Sequence, residues 1–263
     1  MGIKGSKANL SQKTTRAHSN GITRSSCQMQ GWRDYMEDYI LIQEQEEFQL
    51  YGVFDGHGGQ DVSEFLSEHF YEIFEMELKK NPENYNLVLE STFETLDTIL
   101  AHRIASSKVG STAIIVLVTK EKVHIANLGD SRAILFSNES VQQLSQDHNI
   151  ESEYNRIISN GGYIRDDRIN GSLTVARAFG DFFLKSSRCS IISSKPDIMM
   201  IDRPQNKSIL LASDGIWECA DNQYISKYLM ENNQLGKLFN QLIAKNMNQE
   251  YGYDNMSAIL IQF

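Results

Sequence analysis

The sequence predicts a single-domain protein of the α+β class, in which helices and strands lie in separate runs along the chain. Two long stretches, 62–78 and 85–104, repeat apolar residues at helical spacing on either side of the Asn81-Pro82 break. From Gly110 onward the pattern changes to short runs of β-branched apolar residues, which are typical of strands. With 263 residues, 41% of them hydrophobic, the chain is long enough to bury one full core.

The N-terminal residues 1–20 are predicted to form a basic, flexible tail before a single folded domain at 21–263. The N-myristoylation pattern is met by MGIKGS at the start of the chain, with Gly2 as the acceptor once Met1 is removed. One acyl chain binds membranes only marginally, so nearby basic residues would add to attachment at an anionic surface. We therefore expect peripheral membrane contact through an acylated N-terminus, and the alternative is an unmodified disordered tail.

Charge and cysteine content restrict the class of protein. The formal net charge is −9, and none of the 34 acidic residues precedes Asp34, so the body of the chain is strongly acidic. An acidic surface disfavours non-specific binding to nucleic acid. Cys27, Cys189 and Cys219 fit neither a disulfide framework nor a thiolate zinc site, and no secretory signal or membrane-spanning stretch is apparent. We expect a cytoplasmic protein, partly associated with membranes, with reduced thiols and no nucleic-acid partner.

Residues 22–50 are predicted to form strands around a polar turn at 30–38. In this turn Arg33 is a fixed cation that can bind a phosphate through two parallel hydrogen bonds. Glu37 and Asp38 supply hard oxygen ligands a few residues later. For these residues taken alone, the alternative is a surface cluster of ion pairs on a hairpin.

The stretch YGVFDGHGG at 51–59 is typical of an apolar strand that runs into glycines. Because neither a helix nor a strand continues easily through such glycines, Asp55 and His57 would project from a tight turn at the strand end. Turns on a rigid sheet often carry catalytic or binding residues. Taken alone, however, Asp-Gly is also an ordinary turn dipeptide, and a His beside it is usually solvated.

Further elements are expected along the rest of the chain. The predicted strands are 111–119, 122–127, 131–136, 197–201, 207–212 and 256–263, and the further predicted helices are 151–159, 221–231 and 234–248. Asp147 and His148, which precede the first of these helices, are interpreted as cap and turn residues. The segment at about 163–196 has few long apolar runs and is interpreted as a surface flap beside a site.

Four aspartates, Asp55, Asp130, Asp214 and Asp254, lie at strand ends beside glycine or in glycine-containing turns. If a sandwich of sheets brings these ends together, two carboxylates at about 4 Å would repel by about 4 kcal/mol at an effective dielectric constant of about 20. Cations must then fill the space, and all-oxygen ligation favours Mg²⁺ or Mn²⁺ over zinc. Two ions bridged by Asp55 would lower the pKa of a bound water from about 15.7 towards about 7, which equips the site for hydrolysis.

Six motifs resemble, in order, those of the metal-dependent, type 2C protein serine/threonine phosphatases. They are Gly31-Trp32-Arg33 with Met36-Glu37-Asp38, Phe54-Asp55-Gly56-His57-Gly58-Gly59, Gly129-Asp130-Ser131-Arg132-Ala133, Asn170-Gly171-Ser172-Leu173 with Arg177-Ala178 and Gly180-Asp181, Ser213-Asp214-Gly215-Ile216-Trp217, and Asp254-Asn255-Met256-Ser257. Each motif alone is a weak signal, and the six together carry the resemblance. It extends from about residue 20 to Phe263.

The resemblance implies one catalytic domain at 21–263, folded as a four-layer α-β-β-α sandwich with two central antiparallel sheets flanked by helix pairs. It implies a protein phosphatase that hydrolyses phosphoserine and phosphothreonine in proteins by direct attack of a metal-bridged hydroxide. The implied cofactors are two Mg²⁺ or Mn²⁺ ions, with a weaker third ion in some members. Phosphorylated proteins would be the substrates, and we expect a monomer.

The same resemblance implies a role for each matched residue. The expected metal ligands are Asp55 for both ions, Asp214 and Asp254 for the first, Glu37 and the Gly56 carbonyl for the second, and Asp130 for the third. Asp38 would orient metal-bound water, Arg33 would bind the phosphate, and His57 would be the general acid. Glu218 stands where the family more often has Asp, which puts the third-ion site in doubt.

An inactive phosphoprotein-binding scaffold of the same fold is the main alternative function. Such a scaffold would be expected to lack a metal-binding carboxylate, and none is missing from the sequence. A metal-dependent nuclease would also use clustered carboxylates, but the acidic surface disfavours it. Calcium storage would leave Arg33 and His57 without a role.

Overall fold

The computed structural model describes residues 8–104, 108–185, 190–245 and 249–263. Within these ranges the chain forms fifteen strands and six α-helices. The strands are β1 (Asn9–Ser19), β2 (Ile22–Gly31), β3 (Asp38–Glu44), β4 (Phe48–His57), β5 (Gly110–Ser111), β6 (Ala113–Thr119), β7 (Lys122–Leu128), β8 (Arg132–Phe136), β9 (Val141–Gln143), β10 (Ile164–Arg165), β11 (Arg168–Ile169), β12 (Phe179–Gly180), β13 (Asp197–Asp202), β14 (Ser208–Ala212) and β15 (Met256–Gln262). The helices are α1 (Asp61–Lys80), α2 (Tyr85–Ile104), α3 (Ile150–Ser159), α4 (Asp214–Trp217), α5 (Asn222–Asn232) and α6 (Leu235–Leu242).

Two antiparallel sheets form the centre of the molecule. One has six strands in the order β1-β2-β15-β14-β8-β9. The other has seven, with β12-β5-β4-β6-β7-β13 in sequence and β3 paired with β4. In the part of the chain that the structure describes, no helix is both long and apolar enough to cross a membrane.

Three layers of apolar side chains hold the sheets and helices together. The helices α1 and α2 cover the outer face of the seven-stranded sheet around Phe93. The inner faces of the two sheets meet around Val116 and Ile259, and α5 and α6 cover the six-stranded sheet around Phe239. Burial of each such side chain contributes about 1.5–3 kcal/mol. This arrangement confirms the α+β class and the four-layer sandwich.

The strand ends that carry the expected site residues meet at one edge of the sandwich. Asp38, the first residue of β3, lies directly opposite Asp55 on β4. Ser213, which follows β14, donates from Oγ to Asp38 Oδ2 at 2.8 Å and so links the two sheets. Asn255, which precedes β15, makes a second link, because its Oδ1 accepts the Glu37 N–H at 2.8 Å. The fold thus gathers residues that lie far apart in the sequence.

Most of the expected N-terminal tail is a strand. The expectation of a flexible segment at 1–20 does not hold for Asn9–Ser19, which form β1 and pair with β2. Asn20 and Gly21, both with positive φ, form the tight turn between these strands. Every residue of β1 is exposed or half-buried, so backbone pairing rather than an apolar face holds it. Gly2, the expected myristoylation site, lies outside the described residues.

The segment interpreted as a flap contains regular elements. It includes the β10–β11 hairpin, β12 and a short 3₁₀-helix at Phe182–Leu184, and it shares a small apolar core with α3. The strand β12 joins the seven-stranded sheet through β5. A second difference concerns α6, which ends at Leu242 rather than near 248. The chain turns there, because the Ala244 N–H donates to the Gly252 carbonyl at 2.7 Å.

Two cysteines lie among the described residues, and both are free thiols. Cys27 is buried, and burial raises its pKa to about 12. Cys219 is half-buried, and burial raises its pKa to about 11. Thiols with such high pKa values are poor nucleophiles at neutral pH. Cys189 lies outside the described residues.

Candidate functional site

Five aspartates face one another where the two sheets meet, and we call them the carboxylate cluster: Asp38, Asp55, Asp130, Asp214 and Asp254. Burial, followed by the charges of Asp214 and Asp38, raises the pKa of Asp55 well above its ordinary value. Burial, followed by the charges of Asp130 and Asp254, does the same to the pKa of Asp214. Burial also raises the pKa of Asp38 to about 7, although Ser213 donates a hydrogen bond to it. The cluster therefore concentrates negative charge that nearby cations do not balance.

The atoms of the cluster fit hard divalent cations. Asp130 Oδ1 is buried without a hydrogen-bond partner among the described residues, and burial raises the pKa of this group to about 6. Within the described ranges, no three His, Cys, Asp or Glu side chains already close around one point. Mg²⁺ usually keeps several waters and needs only one or two carboxylates. An open set of oxygen ligands therefore suits such an ion better than it suits zinc.

Gly56 allows the chain around Glu37 to lie against β4. The Gly56 N–H donates to the Glu37 carbonyl at 3.2 Å, and Ser63 Oγ on α1 donates to the same oxygen at 2.5 Å. A Cβ atom at Gly56 would lie 2.5 Å from both the Glu37 carbonyl oxygen and Ser63 Oγ. Any larger residue would push the loop away, so glycine here keeps Glu37 beside the carboxylate cluster.

Arg33 lies beside the carboxylate cluster on the loop between β2 and β3. Its Nη2 pairs with Asp254 Oδ2, while 43% of its side chain stays exposed, so part of the guanidinium is open to solvent. Asn255 fixes this loop, because its Nδ2 donates to the carbonyls of Gln30 at 2.7 Å and Tyr35 at 3.1 Å. Burial lowers the pKa of Arg33, but Asp254 and other acids outweigh it and raise the pKa overall. Arg33 is thus a permanent cation held at the mouth of the cluster.

His57 pairs with a carboxylate outside the cluster. Its Nε2 lies 2.6 Å from Oδ2 of Asp181, which is completely buried. A Cβ atom at Gly110 would lie 2.3 Å from Asp181 Oδ2 and 2.5 Å from His57 Nε2, so the pair fits only beside glycine. Because an ionised carboxylate only accepts hydrogen bonds, Nε2 carries the hydrogen. Nδ1 of His57 has no hydrogen-bond partner in the described part of the chain.

A second buried pair supports the backbone next to Asp181. Asp97 on α2 accepts the Gly180 N–H at 3.0 Å and binds Lys185 Nζ with both oxygens at 2.9 Å. Lys185 Nζ also donates to the Ala178 carbonyl at 2.9 Å. Burial lowers the pKa of Lys185, and the charge of Asp97 opposes that shift. Asp97 and Lys185 therefore fix the segment that carries Asp181.

Replacing Asp97 by Ala should lower the free energy of unfolding by about 3 kcal/mol, because Lys185 would stay buried without its counter-charge. Urea titration followed by tryptophan fluorescence measures this loss. Asp202→Ala is the matched control, since the Lys122–Asp202 pair is largely exposed and its loss should leave stability nearly unchanged. Equal stability of the Asp97→Ala variant and the wild type would show that the buried pair does not support the segment.

The structure brings together all of the expected site residues that it describes. They are Arg33, Glu37, Asp38, Asp55, Gly56, His57, Asp130, Asp214 and Asp254. Their proximity follows from the contacts and electrostatic interactions above, and their individual roles stay predictions.

The sequence suggested Asp147 as a cap of α3, but Asp147 does not cap this helix. Asn149 is the cap, because its Oδ1 accepts the Ser152 N–H at 3.0 Å. Asp147 instead pairs with Arg132. His148 Nδ1 accepts the Gly129 N–H at 3.0 Å, in keeping with a role in the turn.

Sequence reasoning missed the supporting residues Ser213, Asn255, Asp181 and Asp97. Ser213 and Asn255 each stand next to an expected ligand, so their position in the motifs was an available signal. Asp181 also lies in a motif, but nothing in its surroundings pointed to His57, which is 124 positions away. Asp97 lies within a helix and carried no local signal.

Known proteins are similar to this chain in sequence over nearly its whole length. A sequence model of the family described as protein phosphatase 2C matches residues 22–251. Probable protein phosphatase 2C 4 of Paramecium tetraurelia is 31% identical over 298 residues, covering 99% of this chain and 98% of that protein. Protein phosphatase 2C homolog 2 of Saccharomyces cerevisiae is 31% identical, over 89% of this chain and 57% of that protein.

Solved structures share the fold. A sex-determining protein of C. elegans superposes with a TM-score of 0.80 at 26% identity, covering 94% of this chain and 66% of that one. A phosphatase of Toxoplasma gondii superposes with a TM-score of 0.82 at 22% identity, covering 96% of both chains.

Proposed function

Because this chain belongs to the protein phosphatase 2C family and is a protein serine/threonine phosphatase, we propose that it cleaves phosphoserine and phosphothreonine in one displacement by water at the carboxylate cluster. The observation that carries this proposal is the gathering of Asp55, Asp214 and Asp254 beside Arg33 and His57. Half-buried carboxylates whose pKa values are raised by desolvation and by each other's charge need a cation, and the neighbouring cation and acid match the two ends of a phosphate ester.

We infer that the cluster holds two Mg²⁺ or Mn²⁺ ions. Asp55 would contact both, Asp214 and Asp254 would hold the first, and Glu37 with the Gly56 carbonyl would hold the second. When bound, such ions balance the carboxylates, polarise phosphoryl oxygens and lower the pKa of water.

A weaker third ion would lie at Asp130, whose buried Oδ1 lacks a partner among the described residues. Glu218 is exposed, and its charge contributes to the raised pKa of Asp214. Glu218 could therefore contribute an oxygen near this position, one methylene further out than the Asp more often found in the family.

Arg33 would bind the phosphoryl group of the substrate. Its guanidinium has five N–H donors, and the pairing with Asp254 uses one nitrogen while part of the side chain stays open. Two parallel hydrogen bonds from one guanidinium fix a phosphate in orientation as well as position. The Asn255 hydrogen bonds hold this loop in place, so the guanidinium is pre-positioned before the substrate binds.

His57 would protonate the departing serine or threonine oxygen. Nε2 is taken by Asp181, so Nδ1 is the atom that would hold the proton for the leaving group. An alkoxide is a poor leaving group, and a positioned acid typically accelerates its departure about 10²–10⁴-fold. Asp38, hydrogen-bonded to Ser213 and opposite Asp55, would orient the attacking water.

The test is phosphate release from a phosphothreonine peptide with Mn²⁺ or Mg²⁺ and with EDTA. We expect turnover with either ion, none in EDTA, and recovery when the ion is returned in excess. Folded protein without turnover under any divalent ion would instead favour the inactive scaffold. Cleavage of phosphodiesters without cleavage of monoesters would favour a nuclease.

We further propose that the enzyme is a cytoplasmic monomer that reaches membranes through myristoylated Gly2. The pattern at the start of the chain and the basic residues Lys13 and Arg16 on the exposed strand β1 support this proposal.

A further inference from the structure

A cavity of about 580 Å³ lies at the end of the seven-stranded sheet away from the carboxylate cluster. It is bounded by the β6–β7 turn, the start of α2 and Met200 of β13. Its lining includes Glu47, just before β4, whereas Asp55 lies eight residues later at the other end of that strand. At about 3.3 Å per residue, the two sites are roughly 26 Å apart along the strand. The phosphatase mechanism therefore does not account for this cavity.

His124 of β7 supplies an unused acceptor in the cavity wall. The side chain faces the helix layer and only 5% of the residue is exposed. Its Nδ1 lies 2.7 Å from Asn86 Oδ1, and because an amide oxygen only accepts, Nδ1 carries the hydrogen. Nε2 is then an acceptor, and no described residue donates to it. Burial and the charge of Lys122 lower the pKa of His124, so the ring is neutral.

The rim of the cavity is acidic. Glu47, Glu83 and Glu121 are exposed carboxylates in its lining. Lys122 also lines the cavity and its charge acts on His124, but it pairs with the exposed Asp202 at 2.6 Å, so this pair adds no net positive charge to the rim. Lys120 remains as one opposing cation, so the rim carries an excess of negative charge.

An aromatic wall completes the cavity. The ring of Tyr85 lies 5.5 Å from that of His124, and burial together with the charge of Glu47 raises the pKa of the Tyr85 phenol. An aromatic face attracts a cation placed over it. The ring thus adds a second feature that favours a positively charged group over an anion.

We propose that this cavity binds an alkylguanidinium or alkylammonium group, which donates a hydrogen bond to His124 Nε2 and lies between the Tyr85 ring and the carboxylates of Glu47 and Glu83. A cationic donor satisfies the unused acceptor and balances the rim in one step. An anion would be repelled by the rim, and a neutral acceptor would leave Nε2 unpaired. The group could belong to a free amine or to an Arg or Lys side chain of a bound peptide.

Binding can be measured on the full-length protein by following the imidazole nitrogen signals of ¹⁵N-histidine-labelled protein during titration. The cationic probes are n-butylguanidinium and n-butylammonium, and the neutral control of the same shape is n-butylurea. We expect the cations, and not the urea, to shift the Nε2 signal of His124 in the millimolar range. An unchanged His124 signal with both cations, or an equal response to the urea, would overturn the proposal.

Charge variants distinguish attraction of the ligand by the rim carboxylates from general attraction by the acidic protein surface. The double variant Glu47→Gln/Glu83→Gln should weaken binding of n-butylguanidinium about fivefold. The matched double variant Glu139→Gln/Glu231→Gln removes two exposed charges elsewhere and should leave it unchanged. Equal weakening in both double variants would mean non-specific attraction and would contradict the proposed site.

A further ligand distinguishes a peptide side chain from a free amine as the source of the cationic group. Tighter binding of Nα-acetyl-arginine N-methylamide than of n-butylguanidinium, which carries the same single charge, would assign the site to a peptide side chain, and the reverse order would assign it to a free small molecule. Because His124 reports directly and no phosphate is released, the result is independent of phosphatase activity.

Discussion

Replacing Asp214 by Asn is expected to slow phosphate release from a phosphothreonine peptide by about a thousandfold, and to raise thermal stability in EDTA. The loss follows because Asp214 is the proposed ligand of the first ion, and that ion would supply several kcal/mol of transition-state stabilisation. The gain follows because burial and the neighbouring acids disfavour the charge of Asp214 in the folded protein, and the amide of Asn carries none. Each kcal/mol gained would raise the midpoint of thermal unfolding by roughly 2–4 °C.

The opposite signs of the two effects make the test sharp. Rates are measured with saturating Mn²⁺, and unfolding is followed in EDTA by circular dichroism. Asp167→Asn is the matched control, because Asp167 is exposed at the turn of the β10–β11 hairpin and should change neither quantity. A variant that is inactive and also less stable in EDTA would point to structural damage and against a repulsive carboxylate cluster.

Replacing His57 by Ala is expected to slow a phosphoserine peptide about 10²–10⁴-fold while slowing 4-nitrophenyl phosphate less than tenfold. The difference arises because a serine alkoxide needs a proton as it leaves, whereas 4-nitrophenolate does not. Values of kcat for both substrates, measured at one metal concentration, give the ratio directly. Equal losses on the two substrates would contradict the acid role and leave His57 as a structural or metal-site residue.

Asp181→Asn should show the same substrate dependence in weaker form, because Asp181 acts through His57 and touches no substrate in this scheme. The chain offers a matched control in Asp197→Asn. Asp197 Oδ2 also accepts from a histidine, His148 at 3.1 Å, but His148, unlike His57, is not a predicted site residue. That variant should leave the ratio of the two kcat values unchanged.

The sequence predicted the carboxylates of the cluster better than the residues that hold them in place. Asp55 and Asp214 follow buried apolar runs and stand beside glycine, so their place near the ends of β4 and β14 was visible locally. The tight turn expected at Asp55 was wrong, because β4 continues to His57 and its last two residues pair with β5. The pairing of His57 with Asp181 joins residues 124 positions apart through an irregular segment, and only the folded chain reveals it.

The N-terminal strand β1 also could not be predicted from the local sequence. The strand β1 has no apolar alternation, because its neighbour β2 supplies the hydrogen bonds that hold it. Local composition indicated a flexible tail, and a tertiary contact decided the outcome.

The carboxylate cluster affects the lifetime of the protein in the cell as well as its chemistry. Asp55 belongs to one sheet, whereas Asp214 and Asp254 adjoin strands of the other. Ions held between them would fasten the two halves of the sandwich, and separating the halves would require the ions to leave. A shortage of divalent ions would then cost the cell more than turnover, because the enzyme would open more often and be degraded by proteases sooner.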